Sequence, residues 1–146
     1  MLGRLKNIEL RQKAAGKEPG TMYITITEGS DISANTLKTT DKPDCFTSLA
    51  MTEVEVVRID DDIQEPVTFI KMDIEGAEKD ALIGCKEQIQ TNRPNLAICT
   101  YHGHEDIILI PKLIDEYAPG YKFFMRHHGG NQVPTEYSLL AAPYLT

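Results

Sequence analysis

Basic side chains are in short supply: Lys and Arg number 15 against 22 Asp and Glu, a net charge of -7. A nucleic-acid-binding surface needs clustered Lys and Arg, so that class of partner is excluded. No apolar run approaches the roughly 20 residues of a membrane span, and residues 1–20 lack the apolar core of a signal peptide. Cysteine is scarce too. Cys45, Cys85 and Cys99 are far apart, odd in number and mostly in apolar settings, which reads as reduced, buried small hydrophobes. These absences point to a cytoplasmic protein. HExxH, CxxC and comparable ligand spacings are also missing, so no structural metal is expected. There is no internal repeat and no low-complexity tract, and 146 residues are at most one domain with a single core.

What is present is an alternation of strand-like and helix-like segments, clearest in the second half. VTFIKM (67–72) is apolar at nearly consecutive positions, as in a parallel strand covered on both faces. From Ala77 apolar residues recur at Ala81, Leu82, Cys85 and Ile89, which is helical spacing, and the pattern stops before NRP at 92–94. NLAICTYH (95–102) is a second apolar strand. EDIILIPKLIDEY (105–117) is helical through Ile107, Ile110, Leu113 and Tyr117, with Pro111 marking a helix start or a kink. YKFFMRH (121–127) and EYSLLAAP (136–143) are strands joined by HGGNQVPT, which suits a hairpin. The order strand, helix, strand, helix, strand, strand predicts an α/β layered sheet whose first two strands are parallel and whose last two are antiparallel.

The first half is less decisive. TMYITIT (21–27) alternates as a half-exposed strand, and VEVVRID (54–60) is another. NIELRQKAA (7–15) is helical by propensity, while Ile8 and Leu10 alternate like a strand. Residues 29–53, rich in Ser, Thr, Asp and Asn, read as one long irregular loop.

The chemistry concentrates in FIKMDIEGAEKDALIGC (69–85). Asp73 directly follows a buried strand, with Glu75 and then Gly76, which permits a tight turn into the helix. Ligands of open α/β sheets bind beyond the carboxyl ends of the strands. A carboxylate there can accept a proton, bind a hydroxyl or amine, or hold a metal. The next strand ends in TYHGHED, so His102 falls at the matching end and an acid and an imidazole would share one crevice, a setting for general-base chemistry. Tyr101 either lines that crevice or packs. Glu75 and Glu78 have a plainer reading as helix-terminus charges. His104, Glu105 and Asp106 read as helix-entry polar residues, and His127 and His128 as parts of the hairpin.

Taken together, FIKMDIEGAEKDALIGCKEQIQTNRPNLAICTYH, EDIILIPKLIDEY, GYKFFMRHH and TEYSLLAAP resemble the FkbM family of methyltransferases. IKMDIEGAE and LAICTYH, followed by D and IP, are its most specific signatures, in that order and at similar spacing. VEVVRIDD is similar to the family's valine-rich strand ending in Asp. KAAGKEPGTMYIT is similar to its Ala-Gly turn and following strand, which favours a strand for residues 8–14. The likeness covers nearly the whole chain. It implies a Rossmann-like class I fold that moves a methyl group from S-adenosylmethionine to a hydroxyl on a sugar or small metabolite. On that reading Asp73 and His102 orient or deprotonate the acceptor, and Glu75, Gly76 and Tyr101 shape the crevice. If a divalent ion assists, Asp73 and Glu75 are its expected ligands.

The departures from the family matter as well. Its cofactor site begins with a glycine-rich loop after the first strand and an acid after the second for the ribose. Here ten glycines include no Gly-x-Gly spacing, and the chain starts about where a third strand would be. The expectation is therefore a single partial domain over 1–146, a class I sheet lacking its first strands and ending in an antiparallel pair. Such a chain on its own would bind the cofactor weakly. The alternative is a non-catalytic methyltransferase-derived remnant, an interaction module that self-associates through the exposed sheet edge. A phosphoacceptor domain, suggested by Asp60, Asp61, Asp62 and Asp73, has the wrong order and spacing of acids.

Overall fold

The two halves of the sequence build two four-stranded sheets, so the fold is a mixed α/β one. The computed structural model describes residues 7–26, 37–38, 50–128 and 136–143. In the first sheet, Gly20–Ile26 (β2) and Ala50–Val57 (β4) pair antiparallel from Gly20↔Val56 to Ile26↔Ala50. Their polar–apolar alternation sets the register: Met22, opposite Val54, is buried, while Thr21 faces Glu55 and Tyr23 faces Glu53. Ala14–Ala15 (β1) adds in parallel to β4, and Leu37–Lys38 (β3) adds to β2, giving the order β1-β4-β2-β3.

Three expectations for this half need correction. Of the strand expected at 8–14 only Ala14 is a strand residue. The preceding segment is held through side chains instead, with Arg11 and Lys13 both on the Asp62 carboxylate. β4 begins at Ala50, inside the stretch read as a loop, and ends at Val57. A single helical turn, Ile59–Asp62 (α1), replaces the end of the strand expected at 54–60. Residues 29–36, 39–49 and Cys45, with most of the 128–135 connection, lie outside the described residues.

The second sheet carries Phe69–Met72 (β5), Asn95–Cys99 (β6), Tyr121–His127 (β7) and Tyr137–Pro143 (β8) in the order β5-β6-β8-β7. β5 and β6 are parallel, and β7 and β8 antiparallel, as expected; β8 inserts between β6 and β7. The helical pattern from Ala77 is split into Glu78–Ile83 (α2) and Lys86–Asn92 (α3), and Asp106–Tyr117 forms α4. Pro111 sits inside α4 rather than at its start. The backbone bond it forfeits would have gone to Ile107, whose side chain is exposed.

Ile70, Met72, Leu96, Ile98, Leu139 and Ala141 form the inner face of this sheet and pack with Ala81, Leu82, Ile89, Ile110 and Ile114 of the helices. Cys85 lies in the same cluster, and burial pushes its thiol up to about 12, so it is an inert packing group. Among the described residues, the opposite face is not covered in the manner the apolar run suggested. Lys71, Ala97, Leu140 and Phe124 are register partners across it, and Phe69 and Phe124 are 58% and 57% exposed. Among the described residues no helix is long and apolar enough to cross a membrane.

Gly84 sits at the break between α2 and α3 and lets that corner approach the first sheet. A Cβ at Gly84 would lie 2.0 Å from the carbonyl oxygen of Gly16, so only glycine lets the α2–α3 corner touch the end of β1. Asp60 N–H donates to Gly84 O at 2.9 Å on the same corner. Gly84→Ala is expected to destabilise the fold by about 1–3 kcal/mol through overpacking against backbone. A urea midpoint within experimental error of wild type would show that the corner can shift apart freely.

Candidate functional site

β5 delivers Asp73 to its carboxyl end, and the chain then reverses through Ile74, Glu75 and Gly76. Gly76 has φ 97° and Glu75 φ 55°, so two consecutive residues occupy left-handed space. Glycine does so freely. For Glu75 the conformation costs on the order of 1 kcal/mol, which the surrounding structure must impose.

The imposing group is Glu78, the first residue of α2. Its side chain is fully buried. Oε1 accepts from Ile74 N–H at 2.8 Å and Oε2 from Gly76 N–H at 3.0 Å, so one carboxylate clasps the whole turn. β6 brings Thr100, Tyr101 and His102 to the matching end. His102 Nδ1 lies 3.0 Å from Glu78 Oε1 and Nε2 lies 3.4 Å from Glu75 Oε2. One ligand atom each from Asp73, Glu78 and His102 fall within 4.8 Å of one another.

The Tyr101 ring lies 4.1 Å from the His102 ring, tilted by 41°, and its hydroxyl donates to Asp73 Oδ1 at 3.0 Å. Partial burial pushes the Asp73 carboxyl up, but the hydrogen bond from Tyr101, with Cys99, Lys71 and His102 nearby, outweighs it and holds Asp73 below the usual carboxylate range. Burial and the same Asp73 contact push the Tyr101 phenol well above its ordinary value. Asp73 is therefore an ionised carboxylate and Tyr101 a neutral donor across the neutral range.

Two clefts flank this point. One, of about 340 Å³, is lined by the Gly16–Glu18 turn, Gly20, Met22, Glu75, Gly76 and Asp80. The other, of about 260 Å³, is lined by Lys71, Asp73, Cys99, Tyr101, His128, Glu136 and Ser138. The structure thus places Glu75 and Gly76 on the first cleft and Asp73 and Tyr101 on the second, with His102 lining neither and standing between Glu75 and Glu78. His104, Glu105 and Asp106 stand at the entry of α4, and His127 packs on Tyr137 at 4.9 Å.

Three groups were missed from sequence. Glu78 read as a terminal charge, whereas it is the buried centre of the site; the signal was an acid two residues beyond a glycine in a strand-to-helix turn. His128 and Ser138 reach the second cleft from the far end of the chain, on and beside the strand next to β6, and no local spacing announces that.

The chain matches the Methyltransferase FkbM domain over residues 7–129. It is similar to the crystal structure of methyltransferase FkbM from Methylobacillus flagellatus KT, with 37% identity and a TM-score of 0.57. The likeness covers 61% of this chain and 23% of that one, so the chain spans less than a quarter of that protein's length. No curated protein matches it.

Glu78→Gln is expected to destabilise the protein by about 1–3 kcal/mol, because an amide can accept at only one end and leaves a backbone N–H of the turn unsatisfied. Urea unfolding measures it. A change below about 0.5 kcal/mol would return Glu78 to the class of ordinary surface charges.

Proposed function

The chain belongs to the FkbM methyltransferase family, and on that premise we propose that it forms the strand-end half of an S-adenosylmethionine-dependent O-methyltransferase site. The observation that carries the reading is the convergence of Asp73, Tyr101 and His102 between the two clefts. The order β5-β6-β8-β7, with its reversed closing strand, supports a Rossmann-like class I sheet. The 340 Å³ cleft suits part of the cofactor: Gly16, Gly20 and Gly76 expose backbone there, and Glu18, Glu75 and Asp80 offer acids toward a cationic, hydroxyl-rich ligand. When bound, S-adenosylmethionine supplies an electrophilic methyl on a sulfonium.

The residues of this chain then act on the acceptor, a sugar or small metabolite, from the second cleft. Asp73 receives the hydroxyl and fixes one lone pair on the line of displacement. Methylation of that hydroxyl would release its proton on the side of the crevice where Asp73 and His102 stand. Tyr101 holds Asp73 in place through its hydrogen bond. The cytoplasm is the proposed setting.

Transfer of a labelled methyl from S-adenosylmethionine to a panel of sugars tests the reading, in a form of the protein that also carries a glycine-rich cofactor loop. Asp73→Asn is expected to lower turnover about a hundredfold to ten-thousandfold while leaving the thermal midpoint near wild type. Transfer at the wild-type rate by Asp73→Asn would remove Asp73 from the mechanism.

A second reading, an interaction module, is favoured by one observation: β5 is an edge strand of its sheet and Phe69 on it is 58% exposed. Such an edge offers unpaired backbone groups to another copy. Sedimentation at tens of micromolar should then show dimers that Phe69→Lys disperses, and a monodisperse monomer would rule the reading out.

A further inference from the structure

Both ring nitrogens of His102 are buried and neither has a hydrogen-bond partner among the described residues. Leaving buried polar atoms unsatisfied is unfavourable, and native structures do it rarely. Acceptors are nevertheless close: Nδ1 is 3.0 Å from Glu78 Oε1 and Nε2 is 3.4 Å from Glu75 Oε2, but neither contact has hydrogen-bond geometry.

A 3.0 Å approach of nitrogen to oxygen without a shared hydrogen is what two neighbouring ligands on one cation look like. With octahedral geometry and metal–ligand distances of about 2.1 Å, ligands at right angles stand about 3.0 Å apart. Asp73 brings a third ligand atom within 4.8 Å of the other two. Glu78 retains the capacity for this, since each of its oxygens accepts one backbone N–H and a carboxylate oxygen has a second lone pair. Glu75, on the far side of the ring, stands where a metal-bound histidine finds its outer carboxylate.

We propose that Asp73, Glu78 and His102 form a divalent-cation site, with His102 Nδ1 and one carboxylate oxygen each from Asp73 and Glu78 as ligands, and Glu75 orienting the ring through Nε2. One nitrogen and two carboxylates suit Mn²⁺ or a similar divalent ion better than thiolate-seeking ions. Asp73 is exposed to the crevice, so the ion's remaining positions face it and can take water or a hydroxyl. A cation there acidifies and orients such a hydroxyl. The site stands on ion binding alone and does not require that methyl transfer be the reaction.

Titration of the 146-residue chain with MnCl₂, following the free-ion electron paramagnetic resonance signal, tests it. The expected result is one ion per chain, with affinity at least tenfold weaker in His102→Ala and in Asp73→Asn, and about tenfold weaker in Glu75→Gln. Asp115→Asn, an exposed acid on α4, should bind as wild type, and circular dichroism should show each variant folded. Two results would overturn the site. One is the absence of saturable binding below millimolar Mn²⁺. The other is equal affinity in the wild type and folded His102→Ala, which marks diffuse attraction to an acidic chain.

Discussion

A carboxylate buried without solvent must be hydrogen-bonded or it is expelled, and Glu78 meets that demand in a way that fixes the rest of the site. Its two oxygens are taken by the N–H groups of Ile74 and Gly76. Those bonds hold the chain in a reversal that puts Glu75 and Gly76 at positive φ. The reversal in turn leaves Asp73 projecting from the end of β5 and brings Glu75 to the His102 ring. One acid is thus structural so that two others can be positioned. The arrangement separates the work within a stretch of six residues: Asp73 and Glu75 face the crevice, and Glu78 holds the turn beneath them.

The same use of acids as backbone clasps recurs in the scaffold. The Asp60 side chain, 1% exposed, accepts from Glu87 N–H and Gln88 N–H at 3.0 Å each, capping α3 from another element. Gln88 extends the tie by donating to the carbonyls of Ile63 and Glu65 and accepting from Val67 N–H. The segment between the two sheets is therefore stitched to α3 by side chains, and Gly84 against Gly16 closes the corner above it. Because α2 hangs from that corner, the depth at which Glu78 sits is set by contacts some distance from the crevice.

Much of this was legible because some signals are local. Nearly consecutive apolar residues at 67–72 and a second apolar run at 95–102 reported a parallel pair, and acids and an imidazole past their ends suggested a crevice. The two antiparallel strands at the end of the chain followed from the Gly- and Pro-bearing connection. What escaped was non-local. The break at Gly84 is invisible to periodicity, since Ala81, Leu82, Cys85 and Ile89 keep helical spacing across it, and the close approach of Gly16 to this corner is a contact between residues far apart in sequence. Glu78 looked exposed because a lone acid at a helix start is usually a solvated charge. Its burial depends on where β6 places His102. The short β1 escaped for the same reason: Arg11 and Lys13 reach for Asp62, fifty residues away, and draw their segment out of the sheet.

The state of Asp73 decides what kind of chemistry this crevice can do. A carboxylate held below its usual range is a reliable negative charge and a poor proton acceptor, because a base works best when its pKa lies near the ambient pH. The hydrogen bond from Tyr101 that secures its position is also what lowers its basicity. Orientation of a bound hydroxyl and stabilisation of positive charge are therefore its stronger suits. An additional influence is needed to loosen the hydroxyl proton, and besides the His128 imidazole of the second cleft the described residues offer two. One is the imidazole of His102, which stands beside both glutamates. The other is a cation shared by that imidazole and the acids. The two cannot act through the same nitrogen at once, since a ring atom that holds an ion has no lone pair left for a proton. Occupancy by an ion would leave Asp73 and Glu78 as charge-neutralising ligands and Tyr101 as the hydrogen-bonding brace.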